Sequence, residues 1–169
     1  VWVLGAGDRS VRRWSANGEQ WRMQLPVHVE PATITAIAED VAWIFDARGD
    51  RILRVATTAP AVTTYRLPTE AVPLVGVAVT QDGRVWCAQA HGDQVYALDP
   101  DGTATAVPLG LPAATTHRVL AGPQDTVLLV RDHSLVQIDA SGHARHWPIG
   151  DGSTTLGDAV VDADEAIWV

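Results

Sequence analysis

The stretch that decides the fold is Val75-Gly-Val-Ala-Val79, Gln81-Asp-Gly83, Arg84-Val-Trp-Cys-Ala88, His91-Gly-Asp93, Gln94-Val-Tyr-Ala-Leu98, Asp99-Pro-Asp-Gly102 and Ala104-Thr-Ala-Val-Pro-Leu109. Four short runs rich in valine, threonine and aromatic residues alternate with Asp, Gly and Pro turns, which reads as four strands joined by tight connections. The same text recurs along the chain. Trp86 has counterparts in Trp2 (Val1-Trp-Val-Leu4), Trp43 (Ala42-Trp-Ile-Phe45) and Trp168 (Ile167-Trp-Val169), and Leu128 (Val127-Leu-Leu-Val130) fills the same place in a further copy. The successive steps are 41, 43, 42 and 40 residues. A second column, Leu25, Leu67, Leu109 and Ile149, steps by 42, 42 and 40. Two columns drifting together at this period, with several short strands per unit, are the signature of propeller blades.

The fold class is therefore all-β: about four blades of four antiparallel strands, expected to form part of a six- to eight-bladed ring. No segment keeps apolar spacing at i, i+3, i+4 and i+7 over three turns, so helices are not needed. Hydrophobic residues make up 47% of the chain and charged ones 19%, enough apolar material for a real core and too little charge for disorder. The predicted boundaries are a partial blade at 1–26, blades at 32–68, 74–109 and 117–149, and a partial blade at 157–169. Both ends fall on the same strand of the unit, and a closed ring has no use for the duplicate, so the expectation is a segment of a longer propeller. A complete four-bladed protein, or a half-ring closed by a second copy, is the alternative.

The net charge of −8 and the absence of a lysine-rich run argue against nucleic acid as a partner. No run of eighteen apolar residues and no secretory or targeting segment is present in the sequence, and the compartment stays open. The lone Cys87, directly after Trp86, excludes an internal disulfide and a cysteine-based zinc site within this chain.

The repeat unit runs as an inner strand, Asp-Gly, Val-Trp, an Asp-Arg-Ile or Asp-Gln-Val step, a Gly turn and a closing Tyr-x-Leu-Pro, as in Ile34–Pro68 (with Asp50-Arg-Ile52 and Tyr65-Arg-Leu-Pro68) and Val75–Gly110. This texture resembles the repeats of the streptogramin B lyase, or virginiamycin B lyase-like, family, and is shared in part by the broader NHL and gluconolactonase-like propellers. The resemblance implies a seven-bladed lyase that opens a cyclic depsipeptide antibiotic by elimination across its ester, with a divalent metal (Mg²⁺) and a histidine base. The family's acid, three residues after the Trp, falls on Gly5, Asp46, Gln89 and Arg131, so only Asp46 keeps an acidic group. The family's Asn before the third strand is replaced by Asp8, Asp50, Asp93 and His133.

In propellers the innermost strand of each blade begins near the axis, where ligands sit. Aligning the units places Thr33, Val75, His117 and Gly157 in one column and Ile34, Gly76, Arg118 and Asp158 in the next. His117 is the candidate catalytic base, and Arg118, Asp158 and Asp46 are candidate ligand-channel residues. The plain alternative for His117 is a surface histidine before a strand. His28 and Glu30 share a face of an extended segment but read as solvated linker, and His143 and His146 fall on opposite faces of a strand. Gly5-Ala-Gly-Asp8, Gly150-Asp-Gly152 and Asp99-Pro-Asp-Gly102 read as turns, because none opens a helix or carries a calcium-loop series. The four Trp of the repeat column are expected in the core. Trp14, Trp21 and Trp147 are expected on outer strands, either as packing or as anchors for a partner.

Three functions follow as expectations: a streptogramin lyase-like enzyme; a non-catalytic scaffold or sensor module holding a small molecule, sugar, peptide or protein in the funnel or on its outer face; and a gluconolactonase-like esterase.

Overall fold

The computed structural model describes residues 1–36, 40–47, 49–58, 62–68, 73–153 and 155–169. Among them the only helical turn is a 3₁₀ turn at Pro123–Asp125; everything else regular is β. The chain forms two compact units, Val1–Pro73 and Leu74–Val169.

The first unit holds two antiparallel sheets. One is β1 (Trp2–Gly5), β2 (Ser10–Trp14) and β3 (Gln20–Gln24); the other is β4 (Pro31–Ala36), β5 (Val41–Asp46), β6 (Arg51–Ala56) and β7 (Val62–Arg66), each strand bonded to the next in sequence. The second unit holds β8 (Leu74–Val79), β9 (Val85–Gln89), β10 (His91–Gly92), β11 (Gln94–Leu98) and β12 (Ala104–Pro108), followed by β13 (Ala114–Ala121), β14 (Val127–Arg131), β15 (Ser134–Ile138), β16 (Ala144–Pro148) and the short pair β17 (Val160–Val161) and β18 (Ile167–Trp168). Here β8-β9-β11-β12 form one meander and β13-β14-β15-β16 another. The two-residue β10 pairs with the start of β13, His91 opposite Thr115 and Gly92 opposite Ala114, so one meander is laced to the next.

Burial explains why the strands differ in composition. The second strand of each full meander is a continuous apolar run covered on both faces: all of β9 and β14, and β5 apart from Val41, are buried. The last strands, β7, β12 and β16, carry no buried residue and mix apolar with polar side chains, as expected where one face meets water. In the first unit Val11, Leu25, Val29, Ile44, Leu53 and Val55 form a core on which Trp2 and Trp21 pack, their rings edge-on at 5.7 Å. In the second, Trp86, Val95, Val119, Leu129, Val136 and Ile138 fill the space between the two meanders, and Val130, Leu135, Leu156 and Ala159 form a further cluster with Trp147 against it.

Both sequence columns have a structural cause. Trp43, Trp86 and Leu128 are buried mid-strand residues, whereas Trp168 is 66% exposed, with its indole N–H donated to Asp162 at 2.7 Å. The expectation of a buried Trp168 is therefore corrected: among the described residues only the two-residue β17 pairs with its strand, and most of the side chain meets solvent. The second column is a backbone device. The N–H groups of Leu25, Leu67, Leu109 and Ile149 donate to the carbonyls of Arg9, Asp50, Asp93 and His133 at 2.8–2.9 Å, closing the third-to-fourth-strand hairpin each time. Arg9, with φ +49°, therefore occupies the place that the sequence alignment gave to Asp8.

Candidate functional site

Each full meander begins with a β-bulge. The register skips one residue between Pro31 and Thr33, between Leu74 and Gly76, and between Thr116 and Arg118. The extra residues are Ala32, Val75 and His117, so the innermost column in the first unit is Ala32 followed by Thr33, one residue earlier than the sequence alignment set it. A bulge re-aims the side chain it carries. In two sheets that side chain is Ala or Val; in β13 it is an imidazole. The next column holds Thr33, Gly76 and Arg118. Gly76 marks a close approach, because a Cβ there would stand a tight 3.2 Å from the backbone N of Val119.

His117 is about one-third exposed, and its Nε2 lies 2.8 Å from Oδ1 of Asp132 in the β14–β15 turn. Asp132 is itself well held. Its Oδ2 accepts the backbone N–H of Thr115 at 3.1 Å, its own N–H donates to the Thr115 carbonyl at 3.1 Å, and its carbonyl accepts from Leu156 at 2.8 Å. Partial burial pushes the Asp132 carboxyl up, but the hydrogen bonds from His117 and Thr115 outweigh it and hold the group below the usual carboxylate range. The carboxylate is thus ionised at neutral pH and accepts an Nε2–H, which leaves Nδ1 of His117 as the basic nitrogen.

Arg118, the next residue, pairs with Asp158, whose Oδ1 also accepts the Ala159 N–H at 2.7 Å. Both side chains are about half exposed, so the pair orients more than it stabilises. His117, Arg118, Asp132 and Asp158 all belong to the second unit. Asp46 belongs to the first, where it ends β5 opposite Pro31 and is only 1% exposed.

The position that carries the family's acid is a buried polar position at the end of each second strand: Asp46 at 1%, Gln89 at 9% and Arg131 at 2% exposure. Among the described residues no three His, Cys, Asp or Glu side chains come together to hold a metal ion. The described residues do not by themselves build the implied metal centre. Cys87 takes no part either; burial pushes its thiol up to about 12.

The residue that sequence reasoning missed is Asp132. A signal existed: the place four residues after the column Trp or Leu is Ala6, Ala47 and Ala90 in the other copies, and only the copy that carries a histidine at the bulge carries an acid there.

The virginiamycin B lyase family model matches residues 1–169. A virginiamycin B lyase of Nocardia farcinica (strain IFM 10152) is 32% identical over 97 residues, covering 57% of this chain and 34% of its own. Among solved structures, a streptogramin B lyase superposes with a TM-score of 0.83 at 16% identity, covering 99% of this chain and 57% of its own. A catalytically inactive virginiamycin B lyase from Staphylococcus aureus with quinupristin superposes at 0.76 and 17% identity, covering 99% and 64%. YCF48 bound to D1 peptide superposes at 0.71 and 12% identity, covering 99% and 56%. At these identities the structural likeness shows the β-propeller fold, and the chain spans about a third of the curated relative's length and under two thirds of these structures. With the family model matching from end to end, the chain belongs to the virginiamycin B lyase family.

Proposed function

We propose that this chain is part of a lyase that opens cyclic depsipeptides of the streptogramin B type by elimination across the ester, with His117 as base. The observation that carries this reading is the 2.8 Å contact between His117 and Asp132 at the bulge that starts an innermost strand. In such a step Nδ1 takes the proton from the carbon adjacent to the ester-bearing carbon, the C–O bond breaks, and the carboxylate leaves with the bonding pair. The product is a linear isomer containing a double bond. Asp132 fixes the ring and stabilises the imidazolium that forms. Arg118, held by Asp158, supplies a positive charge one residue away for the departing carboxylate, and Asp46 remains a candidate ligand-channel residue of the first unit.

The test is incubation of the purified protein with quinupristin, followed by mass analysis. A linear product of unchanged mass supports elimination, and its formation must be strongly slowed in His117→Ala. A product one water heavier points instead to ester hydrolysis, the gluconolactonase-like reading. A second reading, a propeller that binds a peptide or small molecule without turning it over, is favoured by Gln89 and Arg131 at the family's acid positions. Saturable quinupristin or peptide binding with no conversion is its expected result.

A further inference from the structure

Beside the His117 site, and sharing Asp132 with it, the second unit contains an open cleft of about 430 Å³. One wall is the β12–β13 connection, with Leu111 and Pro112; the other is the end of β16 and the residues after it, with Ile149. Neither His117 nor Arg118 lines it. The polar lining includes Arg131, His133 and His146.

Arg131 is the unusual member. It is 2% exposed, its Nη2 donates to the carbonyls of Gly92 and Pro112 at 2.9 Å each, and its buried Nε has no hydrogen-bond partner among the described residues. Neutral carbonyls hold the group in place without cancelling its charge. Asp93 and Asp132 act on it through their fields, while desolvation works against its charged form. Asp132 also lines the cleft, with its oxygens engaged by His117 and the Thr115 N–H. A guanidinium taken out of water with an unmet donor is stabilised by an acceptor that brings negative charge, and with both Nη2 hydrogens taken it is the Nε–H that a carboxylate oxygen would meet. Apolar walls around a few convergent polar groups are what a small amphipathic ligand requires.

We propose that this cleft binds a small amphipathic carboxylate, its acid group directed to Arg131 and its apolar body against Leu111, Pro112 and Ile149. The site goes beyond the lyase reading and stands whether or not the chain turns over a depsipeptide.

The probe is 4-fluorobenzoate, titrated into the protein and followed by NMR. Saturable shifts at the amides of Ala113, Ala114 and Ile149 are expected, with a roughly millimolar Kd for so small a ligand. The uncharged 4-fluorobenzamide, of the same shape, should bind at least tenfold more weakly, as should 4-fluorobenzoate to Arg131→Met. Because Arg131 also holds two backbone carbonyls, that variant can fail to fold. Ala113→Trp, at an exposed lining position, fills the cleft without touching Arg131 and should abolish the shifts. Equal binding of the amide, retained binding in Ala113→Trp, or no saturable shift at these amides overturns the proposal.

Discussion

Nε2 of His117 lies 2.8 Å from Oδ1 of Asp132, across the bulge that offsets β13 from β14. The bond depends on the bulge, because a regular register would pass His117 along the ladder instead of leaving it as the extra residue. Partial burial raises the Asp132 carboxyl, and His117 is the leading contributor among the hydrogen bonds that hold it down. In His117→Phe the Asp132 carboxyl should therefore titrate at higher pH than in the parent, as measured by carboxyl ¹³C NMR. An unchanged midpoint would mean that the contact does not form in solution. If the elimination reaction is observed, His117→Ala should lower turnover by roughly 10²–10⁴-fold.

The repeat column offers a contrast within one protein. Trp86 is 2% exposed in a core cluster, and Trp168 is 66% exposed. Trp86→Ala should cost about 3–5 kcal/mol through lost burial and the cavity left behind. Trp168→Ala should cost under about 1 kcal/mol, since it removes a surface hydrogen bond and little packing. Urea unfolding of the two variants separates them, and similar losses would place Trp168 in a buried setting.

These residues also show how far the sequence can be read. A period set by Trp2, Trp43, Trp86 and Leu128 survives because the position is buried in the three full meanders and packed on the core in the first sheet, where large apolar side chains are favoured. Strand identity is likewise plain wherever Asp and Gly turns bracket a valine-rich run. Register is a different matter. A bulge adds one residue that no composition announces, which is why Thr33 aligns with Val75 by sequence but Ala32 does so in the sheet. The site suffers most from this. His117 stands out as the one imidazole in its column, but its partner comes from the far end of the neighbouring strand, and only the contrast of Asp132 with Ala6, Ala47 and Ala90 marks it. Arg131 was readable as a departure from the family's acid, and its bonds to the Gly92 and Pro112 carbonyls were not.

Arg84 joins the two meanders of the second unit at the end opposite His117. Its Nε donates to Asp99 Oδ1 at 2.6 Å, its Nη1 to the Ala140 carbonyl at 2.7 Å, and its guanidinium carbon lies 5.7 Å from the Trp86 ring centroid. The side chain is 27% exposed, so part of each bond is screened by water. Arg84→Ala should destabilise the protein by about 1–2 kcal/mol, allowing for that screening. Arg84→Lys should recover little, because a single ammonium does not reproduce a fork that serves two acceptors at once. A shift in the urea midpoint measures both, and full rescue by lysine would reduce the contact to simple charge pairing.

The turns between strands make stability sensitive to acid. Asp82 accepts from the Thr80 hydroxyl at 2.7 Å and the Arg84 N–H at 3.0 Å, Asp139 from the Ser141 hydroxyl at 2.6 Å and the His143 N–H at 3.0 Å, and Asp162 from the Trp168 indole and the Ala166 N–H. These bonds hold all three carboxyls below their ordinary value, as do similar bonds at Asp8, Asp101 and Asp151. A folded-state pKa below the unfolded one means that folding favours the ionised form. The contribution is complete above the unfolded carboxylate value, near pH 4, and is lost as pH falls through it towards the folded-state value. These carboxyls therefore contribute a constant amount between pH 7 and about pH 5 and a decreasing one below about pH 4. Urea midpoints at pH 7, 5, 4 and 3 follow the loss. Asp139→Asn should flatten the acid limb, because it removes one of the groups whose protonation drives it, and an unchanged slope would show that these turns do not set the acid limit of the fold.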